Sequence, residues 1–153
     1  MDDSGARVVS EAFGKLFREV HETLRGQVRD LDPGTLNWRP LPKANSIAVI
    51  VTHMLGSQRE MIRAVRSIPS ERDRDSEFRA EADAARLLEM IDESDRDMSE
   101  MIAALTPADL TEMRPRGDRP PRPGIEWLIS NYGHAREHIA QIDLTKQLYD
   151  SRT

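Results

Sequence analysis

Cysteine is absent from the 153 residues. Its absence excludes disulfide frameworks, thiolate metal ligands and a cysteine nucleophile together, and makes a reducing cytoplasm the default compartment. Positive charge is in deficit as well: 22 Lys and Arg against 27 Asp and Glu give a net charge of -5. A general binder of nucleic-acid phosphates carries the opposite sign, so nucleic acid is not an expected partner. Long apolar runs are missing too. The longest strongly apolar stretch is Ile47 to Val51, far short of the roughly 20 residues that span a bilayer, and no membrane partner is expected. The opening Met-Asp-Asp-Ser-Gly is acidic and lacks the basic-then-apolar order of a signal peptide. There is no β-alternation of useful length and no visible internal repeat.

What is present is a charge-covered chain, 38% hydrophobic and 32% charged, whose length suits one domain over residues 1–153 with a core that needs no staples. Four helical patterns stand out. The first runs from about Ser4 to Arg29, with Val9, Phe13, Leu16, Val20 and Leu24 recurring at three- and four-residue steps. Asp30-Leu-Asp-Pro-Gly stops it, and Leu31 to Ala44 reads as a proline-bearing loop. Asn45-Ser46 offers an N-cap to a second helix reaching about Ser67, with Ile47, Ile50, Val51, Met54, Met61, Ile62 and Val65 inward. Pro69 marks its end, and the charge-dense stretch from Ser70 to Asp83 reads as a solvated linker. A third helix then runs to Leu105, and a connection rich in Arg and Pro leads from Thr106 to Gly124. The fourth helix spans roughly Ile125 to Tyr149. Four amphipathic helices of this length argue for an all-α four-helix bundle.

With cysteine gone, histidine is the obvious borderline-soft ligand, and there are four. His134 and His138 lie four apart in the last helix, one turn apart on one face, where two imidazoles can share an ion. They flank the apolar stripe together with Trp127, Asn131, Gln141 and Thr145, so they border the core instead of filling it. His53 takes the same edge position in the second helix, beside Ser46 and Ser57 and with Glu60 further along that side. Three neutral imidazoles from two helices would form a facial set with positions open to water or substrate. A lone His-x-x-x-His is weak by itself. The string His134-Ala-Arg-Glu-His138 also matches the inverted zinc-peptidase pattern, which is rejected because only a short tail remains to supply the further ligand. His21, between Phe17 and Leu24, reads as a partly buried packing histidine and not a fourth ligand.

Taken jointly, Leu36-Asn-Trp-Arg-Pro40, then Ser46-Ile-Ala and the helix bearing His53, and finally His134-Ala-Arg-Glu-His138-Ile-Ala-Gln-Ile142 resemble the DinB/YfiT-like superfamily over nearly the whole chain. The resemblance implies an up-down-down-up four-helix bundle. It implies one divalent metal, zinc or nickel, held by His53, His134 and His138. The Leu31 to Ala44 loop would cap the metal end, making Trp38 and Arg39 candidates for the pocket rim. The connection with Arg114, Arg116, Arg119 and Arg122 would fall at the opposite end, as a solvated loop or a dimer contact rather than a substrate clamp.

Relatives that use low-molecular-weight thiols such as bacillithiol or mycothiol imply a leading function: a metal-dependent thiol S-transferase acting on electrophilic small molecules in detoxification. A chain without cysteine must borrow its thiol. Glu60 is the candidate proton acceptor, Asn131 an orienting group and Trp127 an apolar wall; each also reads as an ordinary surface or packing residue. Two alternatives stay open, a metal-dependent hydrolase and a non-catalytic stress protein that binds metal or a small ligand. Spare apolar positions such as Leu144 and Leu148 agree with a homodimer.

Overall fold

The computed structural model describes residues 1–152. In chain order these form α1 (Asp3–Val28), α2 (Pro33–Asn37), α3 (Ile47–Val65), α4 (Arg74–Glu77), α5 (Ala84–Ala103), α6 (Pro107–Thr111), β1 (Met113–Arg116), β2 (Arg119–Pro123) and α7 (Gly124–Asp150). Three of the long helices begin at an extended residue whose side chain accepts an otherwise orphaned amide. Asp2 caps α1 through Gly5 N at 2.8 Å, Ser46 caps α3 through Val49 N at 3.3 Å, and Asp83 caps α5 through Arg86 N at 2.8 Å.

The end of α3 differs from the sequence expectation by two residues, and the reason is local. Ser67 adopts a left-handed φ of 56°. Its amide bonds the Ala64 carbonyl at 3.1 Å, and the Ile68 amide bonds the Arg63 carbonyl at 2.7 Å. This is the Schellman closure, which satisfies the last carbonyls of the helix before Pro69 is reached.

The core separates into two packed zones. One joins Val20, Leu24 and Val28 of α1 to Ile47, Ile50 and Met54 of α3, Leu87 and Ile91 of α5, and Ile139 and Ile142 of α7. The other joins the N-terminal half of α1, through Phe13 and Phe17, to Met61 and Val65, to Met98 and Ile102, and to Trp127 and Leu128. The first zone therefore holds the end of α1, the starts of α3 and α5, and the end of α7. The four long helices run up, down, down and up, as the family resemblance implies. Helix α1 packs on α5 and α3 packs on α7, both antiparallel, while α3 and α5 run side by side in the same direction.

That topology dictates the course of the connections. Helix α3 ends at the lower zone and α5 begins at the upper one, so residues 66–83 must climb the length of the bundle, about 28 Å at a helical rise. They do not do so as a solvated linker. The segment folds α4 and lays Arg72 and Glu77 against α3, with Glu77 only 6% exposed. The Arg-Pro connection is likewise not a plain solvated loop. It forms an antiparallel hairpin with a bulge between Arg114 and Arg116 and Gly117 at φ 56° in its turn. From this hairpin Arg116 is buried and reaches α3. Neither segment has an apolar periodicity to announce it; polar pairing holds both in place. No helix among the described residues is long and apolar enough to cross a membrane.

Candidate metal centre

The antiparallel packing of α3 on α7 sets two turns of α3 against the middle of α7, and His53, His134 and His138 meet there. The Nε2 atoms of His134 and His138 stand 3.0 Å apart. The His53 ring centroid lies 5.4 Å from that of His134 and 5.2 Å from that of His138. One ring nitrogen from each of the three falls within 4.8 Å of the others, and the group is partly buried. Two imidazole nitrogens on one zinc, at bond lengths of about 2.0–2.1 Å, would stand about 2.9–3.4 Å apart for angles between square and tetrahedral. The His134–His138 pair is already at that separation.

The donor chemistry fits a cation. Gln141 Oε1 lies 2.7 Å from His138 Nδ1, and Glu77 Oε2 lies 3.1 Å from His53 Nδ1. Both are acceptors, so each ring donates its Nδ1 proton outward and keeps the Nε2 lone pair free, the usual outer support of a ligating histidine. Burial, then the charges of His138, His53, Arg116 and Arg119, depress the His134 pKa to about 4. Burial also lowers that of His138, against the pull of Gln141. Neutral imidazoles at neutral pH are the ligating form. His138 turns its Nε2 lone pair towards His134 Nε2 at 3.0 Å, while His134 Nδ1 is buried without a partner; a proton on His134 Nε2 or a shared cation would satisfy the close pair. A divalent ion would satisfy both at once, with His53 as the third ring within reach.

Around the cluster runs a charged network. Arg72 donates to Glu77 Oε1 and Oε2 at 2.7 and 2.8 Å and to Glu60 Oε2 at 3.0 Å. Arg116 donates to the same Glu60 oxygen at 3.0 Å and to Ser57 Oγ at 2.9 Å. Asn131, 2% exposed, donates to Ser57 Oγ at 3.1 Å. Burial alone would push the Glu77 carboxyl up, but its bonds from Arg72 and His53 together hold it below the usual carboxylate range. Phe78 covers the outer side of His53, ring centroids 5.0 Å apart.

The remaining candidate residues scatter. Glu60 is engaged by two guanidinium groups. Trp38 sits at the upper end, edge-on to Tyr149 at 5.5 Å. Arg39 ties the Ala44 and Phe78 carbonyls together at 2.9 and 3.1 Å, Phe78 being the residue whose ring packs on His53. Trp127 packs in the lower zone, its indole N–H on the Arg114 carbonyl at 2.8 Å, and is not gathered with the imidazoles. His21 is fully buried between Asp95 Oδ1 at 3.0 Å and Gln58 Oε1 at 2.9 Å, apart from the cluster.

Sequence reasoning missed Arg72, Glu77, Phe78 and Arg116. One signal was there. Gly56 sits inside α3, and a Cβ at that position would run into the Glu77 carboxylate. A glycine in a helix interior is costly enough to ask what approaches it.

Comparison with known proteins agrees with this architecture. A family model described as the DinB superfamily matches residues 16–142. No curated protein matches the sequence. Among solved structures, a conserved protein from Enterococcus faecalis superposes with a TM-score of 0.76 at 14% identity, covering 91% of this chain and 95% of the other. A protein described as the sibling lethal factor precursor DfsB superposes with a TM-score of 0.71 at 18% identity, covering 94% and 98%. At such identities these two likenesses speak for the fold alone.

Proposed function

The chain belongs to the DinB superfamily, and on that footing we propose that it is a metal-dependent enzyme, a thiol S-transferase acting on electrophilic small molecules. The observation that carries the reading is the convergence of three imidazoles from two helices within 4.8 Å. His53, His134 and His138 would hold one divalent ion, zinc or nickel by donor type. Once bound, such an ion lowers the pKa of a thiol or water and supplies a nucleophile at neutral pH.

The chain's own residues favour a borrowed thiol. With no cysteine it has no nucleophilic sulfur to offer. The positive charges of Arg116 and Arg119, felt at His134, favour a thiolate over a thiol. Phe78 shields one side of His53 from water. Glu60, held by Arg72 and Arg116, anchors the guanidinium groups beside the histidines. Asn131 orients Ser57 beside them. Exposed Leu144 and Leu148, at 56% and 41%, would line the contact of a homodimer.

The test pairs a model electrophile such as 1-chloro-2,4-dinitrobenzene with glutathione, bacillithiol or mycothiol, with and without metal. Turnover that needs both metal and thiol supports the transferase. Thiol-independent ester or amide cleavage that needs the metal replaces it with a hydrolase. Silence in every assay, with metal bound, leaves a binding protein and overturns the enzymatic reading.

A further inference from the structure

The connector between α3 and α5 enters the chemistry above only through Arg72 and Phe78, yet its most buried side chain points at a metal ligand. Glu77 is 6% exposed. Its Oε2 accepts from His53 Nδ1 at 3.1 Å, while Arg72 of the same connector grips both carboxylate oxygens. Arg72 Nη2 also stands 3.3 Å from that ring nitrogen. The two neighbours ask for opposite tautomers. Glu77 needs the proton on Nδ1, which frees Nε2 to ligate. Arg72 could bond Nδ1 only if the proton moved to Nε2, which would close the ligand position. The carboxylate, doubly held by Arg72, decides in favour of the ligating form.

The helix has been cleared for this contact. At Gly56, three residues beyond His53, any side chain would collide with the Glu77 carboxylate and approach Arg72 Nε at 3.4 Å. Topology brings the connector there, because residues 66–83 have to pass along α3 to start α5. From these observations we propose that the connector is a working part of the metal centre. Glu77 is the positioning residue that fixes His53 as a ligand, and docking of the connector and binding of the metal reinforce each other. The inference rests on the metal reading of the three histidines. By linkage, an ion that prefers the docked state must also stabilise it.

The experiment titrates zinc chloride into the wild-type chain, Glu77→Gln and Gly56→Ala, with circular dichroism as the check on helix content. It also follows tryptic cutting after the exposed Arg74 and Arg79. Loss of an outer-shell partner typically weakens metal affinity about 10–100-fold, and both variants are expected in that range with unchanged helicity. Zinc slows cutting of the connector in the wild type and does so less in either variant. Nitrogen-15 spectra of His53 report the Nδ1–H tautomer in the metal-free wild type and a shift towards Nε2–H in Glu77→Gln, which a merely structural role would not produce. A wild type that binds zinc while both variants bind equally well overturns this inference alone, as does zinc that leaves connector cutting unchanged. A wild type that takes up no metal overturns the metal reading, and this inference with it.

Discussion

His134 and His138 face each other across one turn of α7 with their Nε2 atoms 3.0 Å apart, closer than two unshared lone pairs rest without something between them. Helix geometry fixes this pair before any other part of the protein contributes. The third ring, on α3, then decides whether the pair is a metal centre or an incidental neighbour contact.

Replacing any one of His53, His134 and His138 by alanine is expected to abolish stoichiometric metal uptake. Each loss should exceed the roughly 10–100-fold typical of an outer-shell partner. Metal analysis of protein purified without chelators, giving one equivalent for the wild type, checks this. His21→Gln, which alters the buried histidine bonded to Asp95 and Gln58, should leave uptake intact.

The metal-free protein is expected to lose stability as the pH falls from about 6.5 towards 4. His134 has its folded pKa depressed from 6.5 to about 4, so in that window the unfolded chain binds a proton that the folded chain refuses. The contribution is present in full above the unfolded pKa and gone below the folded one. Its size should be about 1–2 kcal/mol once partial exposure is allowed for. Urea titrations across this window, repeated on His134→Gln, measure it; an unchanged slope in the variant would count against the assignment. Below the window Glu77 and Asp95, whose folded pKa values are lowered, lose their contributions as they protonate.

Arg116→Ala should cost about 2–4 kcal/mol. The side chain is 4% exposed and makes charge-assisted bonds to Glu60 and Ser57, each worth about 1.5–3 kcal/mol in such settings. Glu60 keeps Arg72, so no carboxylate is stranded and the loss stays below that of an orphaned buried charge. Arg116→Met, which keeps most of the packing volume beside Trp127, should cost less. Chemical denaturation orders the two.

Leu24→Ala in the upper core zone is expected to cost about 2–5 kcal/mol, since its side chain is fully buried and the cavity cannot close. Leu144→Ala, at a position 56% exposed, should change monomer stability by less than about 0.5 kcal/mol. If α7 mediates dimerisation, that second variant lowers the sedimenting mass while the melting of the fold barely moves.

Helices α1, α3 and α5 were legible from an apolar period near 3.6, joined at Ser46 by a start signal, whereas α7 has no capping side chain and was read from its apolar residues alone. The grouping of the three histidines was legible for another reason: the four-residue step of His134 and His138 could be combined with a family pattern that placed His53 beside them. What stayed hidden was held by long-range polar pairing. Ser70 to Asp83 is charge-dense, and charge looks the same in sequence whether it faces water or grips Glu77 through Arg72. The segment from Met113 to Pro123 alternates arginine with proline, with no apolar face to suggest a hairpin. Only the bundle direction, which forces residues 66–83 past His53, turns those charges into parts of the site.

The order of the helices also sets when the site can exist. On the ribosome His53 emerges long before the two histidines of the final helix, and a single imidazole retains a transition metal poorly. The nascent chain would thus carry no metal until almost all of it had been made, and loading of the proposed site would be a late event that follows assembly instead of guiding it.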